Sequence, residues 1–182
     1  MKKQNQLKAL AFAAILTAMS VALSYFSVRV GEVYKFGFSK LPVVIAGIAL
    51  GPVWGAFVGA ASDLIGAIFA GLGINLLFTI PPVLLGIFPW VFMKIFRGGR
   101  STANIIIMTV AGRVLLSGLL LTVLLGYVYG WFTPISKFYT MLSIRLVTAA
   151  VESVIEGIIC IIIFKNESIM KIFRRNEVLY DC

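Results

Sequence analysis

The sequence predicts an all-α membrane protein, a six-transmembrane-helix bundle with both termini in the cytoplasm. Three observations carry this. The chain of 182 residues is 60% hydrophobic and 13% charged, whereas a soluble domain is nearer half apolar and a quarter charged, and its mean hydropathy is +1.03. A helix needs roughly 20 residues to cross a hydrocarbon layer of ~30 Å, so this length holds about six crossings with short loops and reads as a single integral membrane domain over residues 1–182. The formal charge of +9 is segregated: Lys2, Lys3, Lys8, Lys94, Arg97, Arg100, Lys165, Lys171, Arg174 and Arg175 fall at alternate ends of the apolar runs, against Arg29, Lys35, Lys40 and Lys137 at the other ends. That is the positive-inside pattern, and it argues against nucleic acid as the reason for the charge. Histidine is absent, and the two cysteines, Cys160 and Cys182, have no metal or disulfide spacing. No metal or cofactor is expected, and histidine-based catalysis is excluded.

The first helix is expected over about 7–26. Its apolar run is too long for the core of a signal peptide, and Ala14, Ala18 and Ala22 recur every fourth residue on one face. Such a stripe either packs inside the bundle or docks on a separate membrane subunit. From Ser27 to Lys40 a charged and aromatic outer loop follows, with Arg29, Lys35, Phe36 and Phe38; it either covers a site or anchors at the interface.

Helix 2 (about 41–50) and helix 3 (about 53–70) are divided at Gly51-Pro52, because proline lacks an N–H and forces its predecessor out of the α region. This pair is crowded with Gly47, Gly51, Gly55, Gly59 and Gly66, the composition of closely approaching membrane helices. Asp63 in helix 3 is expected to face protein or a cavity. After an uncharged outer loop ending at Asn75, helix 4 (about 76–96) carries Pro81, Pro82 and Pro89 and is expected to be kinked or unwound in its outer half. Prolines there either border a cavity or are simply packed. Helix 5 (about 105–128) holds Arg113, and helix 6 (about 138–164) holds Arg145, Glu152 and Glu156.

A charge at mid-bilayer costs at least ~2.5–3.5 kcal/mol and persists only with a partner or a task. Counting at ~1.5 Å per residue places Asp63, Arg113 and Glu156 at similar depth, about 12–15 Å from the inner face. They form a candidate buried polar network, with Arg113 paired to Glu156 or Asp63. Arg145 lies nearer the outer surface, one face above Thr148 and Glu152. It either faces an outer cavity, where its planar fork suits a ligand carboxylate, or reaches back to the headgroups. Glu152 would accept hydrogen bonds from a heterocycle. Phe78 and Tyr139, among other aromatic residues at the outer ends, either stack on a flat ligand or form part of the packing and interfacial belt.

These features together resemble the substrate-binding S components of energy-coupling factor (ECF) vitamin transporters. The resemblance rests on the size, six helices with both ends inside, the Ala14/Ala18/Ala22 stripe, and the run Phe36-Gly-Phe-Ser-Lys-Leu-Pro42 leading through Gly51-Pro52 to Asp63 and Gly66. It covers about residues 9–164 and, in the helix 2–3 hairpin and the Asn75 to Gly86 segment, is similar to the folate-specific FolT group. The resemblance implies capture of a vitamin, folate first, in the cell membrane, from a pocket closed by the loops after helices 1, 3 and 5. Arg145, Glu152, Arg29, Lys35, Asn75, Phe78, Tyr139 and Thr148 are then the ligand-binding candidates. It further implies docking through Ala14, Ala18 and Ala22 on an ECF coupling subunit that works with two ATPases. The chain has no Gly-x-x-x-x-Gly-Lys-[Ser/Thr] phosphate loop, so ATP is the business of those partners and the chain is not expected to be an enzyme. The rival readings are the same role for another vitamin or small heterocycle, an intramembrane enzyme built on Asp63 and Glu156, and an assembly protein whose polar residues merely pair.

Overall fold

A computed structural model describes residues 2–30, 34–71, 75–96, 102–130 and 135–166. Helix α1 (Lys2–Tyr25) leads into a short antiparallel hairpin, β1 (Val28–Val30) and β2 (Tyr34–Phe36), in the stretch expected as a plain loop. There follow α2 (Leu41–Ala49), α3 (Pro52–Phe69) and α4 (Leu76–Phe96). The next rod is continuous but not uniform: α5 (Thr102–Gly112), a π-helical stretch (Arg113–Leu120) and α6 (Leu121–Tyr129) join without leaving helical dihedrals. The last helix, α7, spans Ile135–Lys165.

Among the described residues, five helices are long and apolar enough to cross a membrane: Gln6–Tyr25, Pro52–Phe69, Leu76–Phe96, Thr102–Val128 and Phe138–Lys165. The sixth expected span, α2, is not among them. With nine residues, α2 rises only ~13 Å at the helical repeat, short of the ~30 Å layer. Every residue from Leu41 to Leu50 is buried, so α2 is wrapped by protein at the centre of the bundle, where a short helix and its ends escape lipid. It packs against α1, α3, α4 and α7, and the core it belongs to also takes in Ala9, Ala13 and Leu16 of α1, Val58 of α3, Leu85 and Phe92 of α4, and Ile105 and Met108 of α5. Large apolar side chains such as Val53 (76% exposed) and Leu76 (71%) point outward instead, as a lipid-facing surface requires.

The α2–α3 break is built as the sequence predicts. Gly51 has φ 88°, a left-handed conformation that glycine adopts without cost, and Pro52 opens α3 at a position whose N–H needs no partner. The close helix approach rests on four glycines: a Cβ on Gly47 or Gly55 would run into the Gly86 carbonyl oxygen, one on Gly86 into that of Gly55, and one on Gly59 into that of Pro82. Backbone lies directly against backbone. Gly86→Ala should therefore lower the melting temperature in detergent, at an overpacking cost of about 1–3 kcal/mol. Gly66→Ala, whose Cβ would meet nothing within 4 Å, should leave it unchanged. Helix α4 is not unwound: it runs unbroken through Pro81, Pro82 and Pro89.

Candidate ligand-binding site

The buried charges converge where α7 passes the π-helical stretch. Glu152 and Glu156, one turn apart on α7, both reach Arg113. The guanidinium Nη2 donates to Glu152 Oε2, and Nε lies 3.1 Å from Glu156 Oε2. All three are sealed from the surface, with 4% or less of each exposed. Arg113 is the first residue of the π-helical stretch, whose i→i+5 bonds widen the turn, a distortion frequent at functional sites.

The other oxygen of Glu152 is also engaged. Gly37 N–H, just past β2, donates to Glu152 Oε1 at 2.8 Å across 115 residues of chain. Glu152 stands about midway along the Phe138–Lys165 span, so the chain from Gly37 to Lys40 enters the middle of the bundle without being helical. Non-helical backbone at that depth must have its polar groups satisfied by protein, and several are: Ser20 Oγ donates to the Ser39 carbonyl at 2.6 Å, Leu41 N–H to Phe38 O, and Val44 N–H to Lys40 O, both at 3.1 Å.

The sequence reading placed Asp63 within reach of Arg113. The structure pairs it elsewhere, with Thr79 Oγ1 of α4 donating to Asp63 Oδ2 at 2.9 Å, so Asp63 braces α3 against α4. Arg145 is buried, at 7% exposure, seven residues before Glu152, which two turns of helix return to the same face; it does not extend to the outside as a headgroup anchor would. Thr148 turns its hydroxyl back to the Ile144 carbonyl at 2.7 Å. Asn75 caps α4, its Oδ1 accepting from Leu77 N–H at 3.1 Å, a role that suits asparagine at a helix start. Phe78 is half-buried and Tyr139 is 62% exposed. Arg29 and Lys35 face each other in the β1–β2 register, while their side chains lie outside what is described. So do residues 97–101 and 167–182, which carry much of the charge that predicts the orientation.

Sequence reasoning missed Gly37, Ser20 and Thr79. Thr79 and Ser20 are small hydroxyls in apolar runs, a weak signal of a polar contact, and a backbone amide leaves no signal at all.

Two shallow apolar grooves lie on the outside of the bundle, and neither is lined by Arg145 or Glu152. One, of about 590 Å³, lies between α1 and α3 and is lined by Ala14, Ala18 and Ala22 on one side and Phe57, Ile65 and Phe69 on the other. The three alanines are exposed, because α1 turns a different face inward, with Ala9, Ala13, Leu16, Thr17 and Ser20 buried. Of the two readings of the stripe, packing inside the bundle is therefore not what is seen.

With this geometry in hand, the profile of the ECF transporter substrate-specific component matches residues 8–165. The chain belongs to that family. It is thus a component of a transporter family rather than of an enzyme class, and its apolar helices are those of a multi-pass membrane protein. Solved structures share the fold, two of them as follows. A crystal structure of FolT bound with folic acid aligns with a TM-score of 0.58 at 22% identity, covering 80% of this chain and 92% of that one. The S component of a bacterial ECF transporter aligns with a TM-score of 0.53 at 21% identity, covering 93% and 95%. At such identities the likeness is one of fold. A curated relative, an uncharacterised protein of Mycoplasma pneumoniae (MG313 homolog), is 29% identical over 104 residues, 57% of this chain and 36% of that protein. The match thus spans little more than a third of that relative's length.

Proposed function

We propose that this chain is the vitamin-capturing subunit of an ECF transporter in the cell membrane, that it takes a folate-type ligand from outside, and that it passes it inward through an ECF coupling subunit driven by two ATPases. In this reading both termini lie in the cytoplasm, the basic termini and the α4–α5 connection face inward, and the hairpin and the α3–α4 and α6–α7 turns face out. The single observation that carries it is the placement of Arg145 and the Arg113–Glu152–Glu156 cluster inside the bundle of a family member rather than toward lipid. Intramembrane ions so placed mark ligand paths.

Folate offers a flat pterin with N–H groups on its edge and a tail of carboxylates. Arg145 supplies a fork for a carboxylate, with Arg29 or Lys35 of the hairpin as the other bases for the tail. Glu152 takes the pterin edge, and Phe78 and Tyr139 offer rings to stack on. Thr148 and Asn75 line the same outer half. Support for folate over other vitamins comes from the fold shared with FolT and from this match of chemical groups.

A thermal melt of the purified chain tests the reading. At a folate concentration a hundredfold above Kd, binding linkage contributes about 2.7 kcal/mol, which for a chain of this size raises the melting temperature by about 5–10 °C. A shift with a different vitamin and none with folate would keep vitamin capture and replace the ligand. No shift with any vitamin would leave an assembly protein with paired charges.

A further inference from the structure

Lys40 carries its charge into the bundle. It is half-buried, and every residue after it from Leu41 to Leu50 is buried. Its side chain makes no capping bond to α2, and an ammonium at a helix N-terminus meets the positive end of the backbone dipole. Three residues earlier Gly37 donates to Glu152 at mid-span, and α2 itself packs against α7. In the orientation proposed above both helices run inward, so the chain from Gly37 to Lys40 descends beside α7 in the direction from Glu152 to Glu156.

Glu156 is the group there with an unmet need. It is wholly buried, and neither carboxylate oxygen receives a hydrogen bond among the described residues; its contact is the ion pair to Arg113 Nε at 3.1 Å. Glu152, one turn away, already takes Arg113 Nη2 and the Gly37 amide. Two carboxylates on one guanidinium leave a negative charge over, which is costly at this depth. The charge of Lys40 acts on Glu156, as do those of Arg113 and Glu152. Of the other elements packed against α7, α5 brings no ionisable residue, α6 brings Tyr127 and Tyr129 near its outer end, and the side chains of β2 lie outside what is described. Cys160, one turn beyond Glu156, is buried, and Asp63 is taken by Thr79.

We propose that Lys40 is the second cation of the buried cluster, a positioning residue whose ammonium neutralises Glu156 and so leaves Arg145 as the net positive charge on the α7 side of the bundle. Its flexible four-carbon stem lets the ammonium reach a carboxylate from the start of α2 and bring donors to it. The charge balance stands on this chain's own residues. Its consequence for capture rests on the function proposed above: with Arg113, Arg145 and Lys40 set against Glu152 and Glu156, this side favours a ligand of net negative charge.

Melting of the purified, ligand-free full chain in detergent, from about pH 5 to about pH 8, tests the balance through proton linkage. Lys40→Met keeps an apolar stem and removes the charge, and should melt about 5 °C or more below the wild type at the alkaline end. A proton on Glu156 then replaces the ammonium. The folded variant holds a proton that the unfolded chain releases, so its stability falls as pH rises, and the deficit against the wild type shrinks toward the acid end. Adding Glu156→Gln should remove most of the deficit and its pH dependence. If Lys40→Met melts like the wild type at every pH, the ammonium balances nothing and the proposal falls. A deficit equal at every pH and unrelieved by Glu156→Gln overturns it too, since Lys40 would then act through packing at the start of α2. Should Lys40→Met not fold, the double variant decides: folding of the double supports the pairing, and its failure to fold overturns it. Because these melts need no ligand, a folate melt without a shift removes the substrate reading and leaves the balance standing. A shift with an uncharged vitamin and none with an anionic one overturns the preference for an anion and leaves the pairing.

Discussion

Arg113→Leu is expected to destabilise the protein by about 3–5 kcal/mol, the cost of leaving buried charge without its partner. Two carboxylates share that guanidinium, and all three groups are sealed in the bundle, so neither water nor lipid headgroups replace it. The measurement is the melting temperature or the midpoint of denaturant unfolding in mixed micelles. The sign of the companion experiment is opposite. A triple variant, Arg113→Met with Glu152→Gln and Glu156→Gln, should recover most of the loss, because a buried ionic cluster exchanged whole for uncharged groups of similar size is often neutral in stability. If the single variant melted like the wild type, the cluster would be solvated from a cavity rather than sealed. If the triple variant were as unstable as the single, the cost would lie in packing around the π-helical stretch rather than in charge.

Ala14→Trp and Ala18→Trp should each reduce vitamin uptake to background in cells supplying the coupling subunit and ATPases, and leave ligand binding by the purified chain intact. Both alanines line the open α1–α3 groove and neither contributes to the buried face of α1. An indole there fills the groove without disturbing the core, and it removes the close backbone approach that small residues permit between membrane helices. Binding measured by melt and uptake by radiolabel separate the outcomes. Loss of both would show that the groove side of α1 supports the fold. Retention of uptake would place the partner's docking surface on another face.

The helices were legible because hydropathy is written locally. The expected spans 7–26, 53–70, 76–96, 105–128 and 138–164 correspond to rods whose ends differ from these by a few residues, and Gly51-Pro52 marked a real break, since the constraint of proline acts on its immediate neighbour. The glycine crowding of helices 2 and 3 pointed to close packing, and Gly47 and Gly55 do meet Gly86. The sixth crossing expected at α2 is not confirmed, because a buried half-length helix and a short membrane span have the same apolar composition. The hairpin was missed because three-residue strands give too little alternation to stand out.

What the sequence by itself determined is the class of the molecule, the order and approximate ends of its helices, and the identity of the ions that must be hidden. All of these follow from the cost of placing polar groups in hydrocarbon and from periodicities of three or four residues. Only the tertiary structure decided which ions meet and which alanine face of α1 is left open. It took Asp63 away from Arg113 and gave it to Thr79, set both Glu152 and Glu156 on Arg113, and brought a backbone amide from 115 residues away to Glu152. The physical reason is that a pair across two helices depends on their relative rotation and axial offset. Those are fixed by how close the glycine surfaces let backbones come and by a turn wound one residue wider at Arg113, quantities that belong to the whole packing and to no single stretch of chain.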